Sequence, residues 1–364
     1  MAMRSFSRLP TGLRRKTKML PQNNSKLLSL RLLSTQIGAD PLLVQGPGGN
    51  TSIKIGEVLW VKASGKSLIA ASSEQIFIPI SYKSVRQKLL EGMSDPLNGQ
   101  IIGSLTSSTL RPSIETTLHA IMTDPIVVHV HCVNTIGRTV TQNAKVALAK
   151  LLAGEKWAWI PYRRPGLPLA QEIVKRKLES VQTLILGNHG LVVTGQEPEQ
   201  VAELLERIVT RLRLKPRRVP NANIEQLQDL CANTPYCVPP KAEWHSLAVD
   251  KTNLKIVSGG SLYPDHVIFL GSSAAVMSPI MLARKHDVGK EIPKLLLVPS
   301  SGILALKNIS RTEKEMIQCL VDVVRRVSGR QKINYLTQFE EKELLNWDAE
   351  KYRISLNTDP ASSV

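Results

Sequence analysis

The residues whose types and spacing could do chemistry are His129-Val130-His131, Glu115 fourteen positions before them, and His189 in Gly187-Asn188-His189-Gly190. Three imidazoles and one carboxylate suffice to hold a divalent transition metal beside an acid/base group. The segment from Pro125 to His131 is rich in β-branched residues, and alternate side chains of a strand share a face. His129 and His131 therefore project together and can share one ion. Val130 and Cys132 point the other way, so Cys132 reads as a small packing residue. A third imidazole is offered by His189, at the end of the apolar stretch 183–186 and between glycines that permit a tight turn. Glu115 lies in Arg111-Pro112-Ser113-Ile114-Glu115, where Ser113 predicts a helix start and residues 115 and 119 stack one turn apart. His119 itself reads more simply as a core histidine.

Five motifs then fall in a familiar order: Gly48-Gly49-Asn50-Thr51-Ser52, Val61-Lys62-Ala63-Ser64-Gly65, Pro112-Ser113-Ile114-Glu115, His129-Val130-His131 and Gly187-Asn188-His189-Gly190-Leu191. Over residues 26–215 the chain resembles the class II aldolase/adducin family, most closely members similar to fuculose-phosphate and rhamnulose-phosphate aldolases. The resemblance implies an α/β fold, layered α/β/α around a mostly antiparallel sheet. It implies His129, His131 and His189 as ligands of zinc or a similar divalent ion, and Glu115 as the general acid/base. It also assigns Gly49, Asn50, Ser64, Gly65 and Ser113 to the anionic end of a sugar or sugar phosphate, since backbone N–H groups and small polar side chains cradle phosphate. One position departs from the pattern: Ile114 stands where several phosphate-using members carry a hydroxyl, and it cannot donate. The anion is therefore left open, with Arg111 as a possible compensating cation or a solvent-facing residue.

The reaction implied is aldol cleavage of a ketose or ketose phosphate, the ion polarising the carbonyl and stabilising the enediolate. Glu115 would shuttle a proton, which calls for a pKa raised toward neutrality by a dry pocket. Tyr162, in a Pro-flanked aromatic loop, is the candidate acid on the aldehyde side. Dehydration, epimerisation or decarboxylation on the same scaffold is the nearest alternative. An adducin-like interaction module is another, disfavoured because all three histidines and the glutamate are kept. The family also implies a homo-oligomer, commonly a tetramer.

Composition narrows the class. With 364 residues, 42% of them apolar, the chain can bury a large core, and its length predicts two domains. No apolar run approaches the roughly 18 residues that a membrane helix needs. Four cysteines without paired zinc spacing indicate a reducing compartment, read as the cytoplasm. The net charge of +17 is concentrated: residues 1–39 hold eight Lys or Arg and no acid, and Arg211, Arg213, Lys215, Arg217 and Arg218 form a second cluster. An aromatic content of 4% argues against a stacking platform for single strands, so nucleic acid is not expected as a partner.

The elements that must position these residues follow. Residues 1–23 read as a disordered basic extension with some likeness to a transit peptide, 24–215 as the family-like domain, 216–242 as a linker and 243–364 as a smaller α/β domain. Ser25 caps a helix over 26–37, strands cover 58–62 and 76–80, and Ser84 with Gln87 caps a short helix. A single helix is predicted over 136–152, and an amphipathic one over 198–213 behind Pro198. Residues 224–231 predict a short helix. Beyond it, Val267-Ile268-Phe269-Leu270, 294–298 and 303–306 read as strands, and Ser310/Glu313 and Thr337/Glu340 as capping boxes. His266, beside Asp265, reads as structural.

Overall fold

The computed structural model describes residues 24–272, 275–276 and 292–357; the basic extension 1–23 lies outside them. Strands β1 (Asn50–Ile55), β2 (Val58–Lys62), β3 (Phe77–Ser81), β4 (Ile126–Val130), β5 (Trp157–Ile160), β6 (Thr183–Leu186) and β7 (Gly190–Gly195) form one sheet. Their order is β3-β2-β1-β4-β7-β6-β5. Every pairing is antiparallel except β5 with β6, as the mixed, mostly antiparallel expectation requires.

Strand alternation sorts the core into two layers. Ile126, Val128 and Val130 of β4 pack with Leu191 and Val193 of β7 against the helices Ser25–Gly38 and Pro198–Leu212. Val127 and Val192 face the opposite layer with the helices Thr116–Ile121 and Leu167–Lys175. His129 and His131 share the parity of Val127, and Cys132 shares that of Val130, fully buried in the first layer. The histidine pair thus faces the helix that follows Glu115.

Residues after 215 add a second sheet, in the order β8-β11-β10-β9: β8 (Tyr236–Cys237), β9 (Ala275–Val276), β10 (Leu295–Val298) and β11 (Gly302–Leu306). The stretch read as linker contains the expected helix, Ile224–Cys231, but also β8, which pairs with β11. The two lobes share a core: Val133, Ile136 and Val140 from the helix Val133–Thr139 pack with Met316, Leu320 and Val324 of the helix Arg311–Val324. Both predicted capping boxes close, at Ser310/Glu313 and Thr337/Glu340.

Several boundaries differ from expectation for local reasons. Asn24, not Ser25, caps the first helix by accepting from the Lys26 N–H. Ser84 lies inside the helix Tyr82–Leu90 rather than at its start. The helix read over 136–152 is two, Val133–Thr139 and Ala144–Leu151, separated where Thr141 makes a bridge to Ile333. The run 267–270 is not a strand but part of the helix Pro264–Leu270: Pro264 suits the first helical position, and Gly271, at φ 89°, ends it. No helix among the described residues is long and apolar enough to cross a membrane.

Candidate metal centre

Register builds the site. Asn50 of β1 lies opposite His129 of β4, and His129 opposite Val192 of β7. Leu186 of β6 pairs with Gly190 of β7, so residues 187–189 form the tight connection that carries His189 back toward β4. Asn188 takes a left-handed φ of 52° there, a conformation asparagine tolerates better than most residues. Its side-chain amide donates to the carbonyls of Leu262 and Asn334, which docks the turn on the C-terminal lobe. A Cβ on Gly190 would lie 2.3 Å from the Val130 carbonyl oxygen, so only glycine allows this approach.

The result is a compact cluster. Ligand atoms of Glu115, His129, His131 and His189 all lie within 4.8 Å of one another, and all four residues are buried. The imidazole centroids are 4.8–5.1 Å apart. His129 Nδ1 donates to the Leu191 carbonyl at 3.1 Å, which leaves its Nε2 facing Glu115 Oε2 at 3.2 Å. Glu115 Oε1 stands 3.8 Å from His189 Nε2. Within the cluster, His129 Nε2 and Glu115 Oε1 are buried without a hydrogen-bond partner. Orphaned buried lone pairs are costly, and a divalent cation among them would satisfy this donor set. The residues present therefore fit a divalent metal ion.

Behind Glu115 runs a polar chain that fixes its position. The Asn50 amide donates to Glu115 Oε2 at 2.9 Å, and Asn50 Oδ1 accepts from His119 Nε2. His119 Nδ1 then accepts from the Ser52 hydroxyl at 2.7 Å. His119 is thus a core histidine with a task, holding the amide that holds the carboxylate. The helix expected from Ser113 begins later, at Thr116, because the Ser113 hydroxyl and carbonyl first close a turn with the N–H groups of Glu115 and Thr116.

Electrostatics favour neutral imidazoles. Burial pulls His129 down to about 4 and His189 down to about 3, against the pull of Glu115. For Glu115 burial pushes upward, but His129, His189, His131 and the Asn50 amide outweigh it and hold the carboxyl at about 2. The direction is opposite to the rise expected from a dry pocket. Protonated imidazoles hold Glu115 ionised at acid pH, and at pH 7, where His129 and His189 are neutral, a cation held among the same nitrogens would do so instead.

A cavity opens beside the cluster, walled by Gly49, Asn50, Ser64, Gly65 and Ser113 together with Glu115, His131 and His189. Ser64 N–H donates to the Arg111 carbonyl and Ser113 N–H to the Lys62 carbonyl, which brings the two small-residue segments side by side. Sequence reasoning missed four charged walls: Lys62, Asp265, Glu350 and Arg353. Lys62 is buried, donates to the carbonyls of Pro47 and Lys66, and is lowered to about 7, first by burial and then by Arg353. A lysine closing the apolar run Val58–Lys62 was the available signal. Arg111 does not line this cavity; it is exposed and stacks on the Tyr352 ring at 4.3 Å. Ile114 does line the cavity.

Tyr162 does not join the cavity in its own chain. Its half-buried ring packs on the C-terminal core, and burial, then Glu340 and Glu343, raise its pKa. His266 is structural, as expected: it is buried and its Nδ1 accepts the Leu262 N–H.

Comparison with known proteins adds to this geometry. Residues 36–215 match the Class II Aldolase and Adducin N-terminal domain. A curated relative, the uncharacterized oxidoreductase YuxG of Bacillus subtilis, is 31% identical over 183 residues, 46% of this chain and 26% of the relative. The chain thus spans about a quarter of that relative's length. Among solved structures, the N-terminal class II aldolase domain of a conserved protein from Thermoplasma acidophilum is 27% identical, with a TM-score of 0.46, covering 58% of this chain and 98% of that one. A sugar-phosphate aldolase from Thermotoga maritima is 12% identical, with a TM-score of 0.42, covering 51% and 91%.

Proposed function

Residues 36–215 belong to the class II aldolase/adducin family, and from that premise we propose that the protein is a metal-dependent lyase cleaving a carbon–carbon bond in a ketose or ketose phosphate. The observation that carries this reading is the buried Glu115, His129, His131 and His189 cluster opening onto a cavity of small polar residues. His129, His131 and His189 hold the ion, proposed as zinc because nitrogen ligands in such a set suit it. The ion, when bound, supplies Lewis-acid stabilisation of charge building on substrate oxygen. Glu115, ionised and oriented by Asn50, takes or returns the proton at the nucleophilic carbon. Asn50, Ser64, Gly65 and Ser113 bind the substrate's anionic end, with buried Lys62 supplying positive charge nearby. Epimerisation or decarboxylation would use the same ligands and differ only in the bond broken.

The same proposal includes a homo-oligomer, a cytoplasmic location compatible with four unpaired cysteines, and a chain divided into 24–215 and 243–364 with 216–242 between them. Nucleic acid is not part of it; two cations of the second basic cluster already meet carboxylates, Arg211 with Glu155 and Arg217 with Asp250. The test is a screen of ketose 1-phosphates and free ketoses for aldehyde release by zinc-loaded protein, with Glu115→Gln as control. Release that needs both Glu115 and metal supports a lyase. Isomerised or decarboxylated product instead moves the assignment to the alternative.

A further inference from the structure

Of the three clustered imidazoles, His131 is the one hydrogen-bonded to the C-terminal lobe. His129 is oriented by a backbone carbonyl of β7, whereas His131 Nδ1 lies 2.8 Å from Asp265 Oδ2, a residue 134 positions later in the C-terminal lobe. Arg353 grips the same carboxylate with two donors, Nη1 to Oδ1 at 2.7 Å and Nη2 to Oδ2 at 3.1 Å. His131, Asp265 and Arg353 are 7%, 3% and 7% exposed, so water does not compete for these bonds. Arg353 also meets Glu350 at 3.4 Å and lies 5.1 Å from the centre of the Phe269 ring. Gly48 makes room for the contact: a Cβ there would stand 3.0 Å from His131 Nδ1 and 3.3 Å from Asp265 Oδ2.

We propose that Asp265, clamped by Arg353, is the positioning residue for His131, so that the C-terminal lobe is a working part of the metal site. The inference rests on His131 being a ligand. A neutral imidazole carries its proton on one nitrogen only, and a ligand must keep the other lone pair free. A carboxylate at Nδ1 stabilises the proton there and aims Nε2 at the cluster, the arrangement that raises ligand basicity in carboxylate–histidine–metal triads. Arg353 serves by geometry as well as charge. Its planar fork holds both carboxylate oxygens at once, which a lysine ammonium cannot do. Neither Asp265 nor Arg353 need touch substrate or ion for this effect.

The test is zinc affinity of the full-length chain, measured by competition with a chromogenic chelator for wild type, Asp265→Asn, Asp265→Glu and Arg353→Lys. The thermal midpoint of each metal-free protein serves as a folding control. Asp265→Asn should weaken zinc about 10- to 100-fold, the range for loss of such an outer partner. Arg353→Lys should weaken it in the same direction by less, and Asp265→Glu should recover part of the loss. Affinities within twofold of wild type in both Asp265→Asn and Arg353→Lys overturn the proposal and leave the metal reading intact. Wild type that binds no zinc at a His129-dependent site overturns both. A readout free of any variant is the nitrogen-15 spectrum of the metal-free wild-type imidazoles: His131 protonated at Nδ1 supports the proposal, and His131 protonated at Nε2 contradicts it.

Discussion

Two walls of one cavity hold their side chains by different means. Asn50, His129 and His189 are placed by the register of β1, β4, β6 and β7, whereas Asp265 and Arg353 meet from two helices, Pro264–Leu270 and Asp348–Ser355, that the packing of the C-terminal lobe brings together. A register is all or nothing, because a slip of one residue turns every side chain to the other face. A contact between helices can loosen by degrees. The sheet wall should therefore fail abruptly when disturbed, and the helical wall should tune.

The largest separation between the walls lies in chemistry. His129→Ala should abolish bound zinc and turnover together, while Glu115→Gln should keep the metal and lose about 10²–10⁴ in kcat, the usual worth of a positioned acid/base. Metal content and kcat on the same preparations check both. Equal loss of metal in the two variants would erase the distinction between ligand and proton carrier.

Next comes the hinge of the sheet wall. Gly190→Ala should destabilise the protein by about 2–3 kcal/mol through its clash with the Val130 carbonyl, read as a lower urea midpoint. An unchanged midpoint would mean that β7 can shift away from β4 and that the register is looser than the pairing indicates.

A pH series compares the walls through their buried histidines. Burial, the largest influence on each, lowers His119, which backs the sheet wall from the helix Thr116–Ile121 by its bond to Asn50, to about 3 and His266 of the C-terminal lobe to about 4, from 6.5. The unfolded chain then binds protons that the folded chain does not, so their stabilising effect is full above about pH 6.5 and is lost as pH falls through about 4 for His266 and about 3 for His119. Urea midpoints of the metal-free protein should decline across that window. His266→Gln should flatten the decline partly, leaving the share due to His119, His129 and His189.

The smallest effect is expected at Arg111, which sits outside the cavity on the Tyr352 ring. Arg111→Ala should cost about 0.5–1 kcal/mol of stability and leave KM for a ketose phosphate unchanged. A tenfold rise in KM would return it to the role of substrate cation.

The sheet wall was legible in the sequence because its information is local. Alternation across Ile126–Val130 puts both histidines on one face, and the glycines around Asn188 mark the turn that carries His189. Even so, β1 went unread, since polar Asn50, Thr51, Ser52 and Lys54 after the glycines mask a strand that pairs on both sides. The helical wall was not legible. Val267-Ile268-Phe269-Leu270 has strand-like composition, and four apolar residues cannot distinguish a strand from a buried helix. Pro264 and Gly271 decided it. Asp265 and Arg353 belong to no spaced motif; only the docking of the second lobe brings them within reach of His131.

The most direct measurement is anomalous X-ray scattering at the zinc edge from crystals of the zinc-loaded chain. One peak, about 2.0–2.1 Å from a nitrogen of each of His129, His131 and His189, is the predicted result. A peak elsewhere, or none at these residues after loading, would contradict the metal centre.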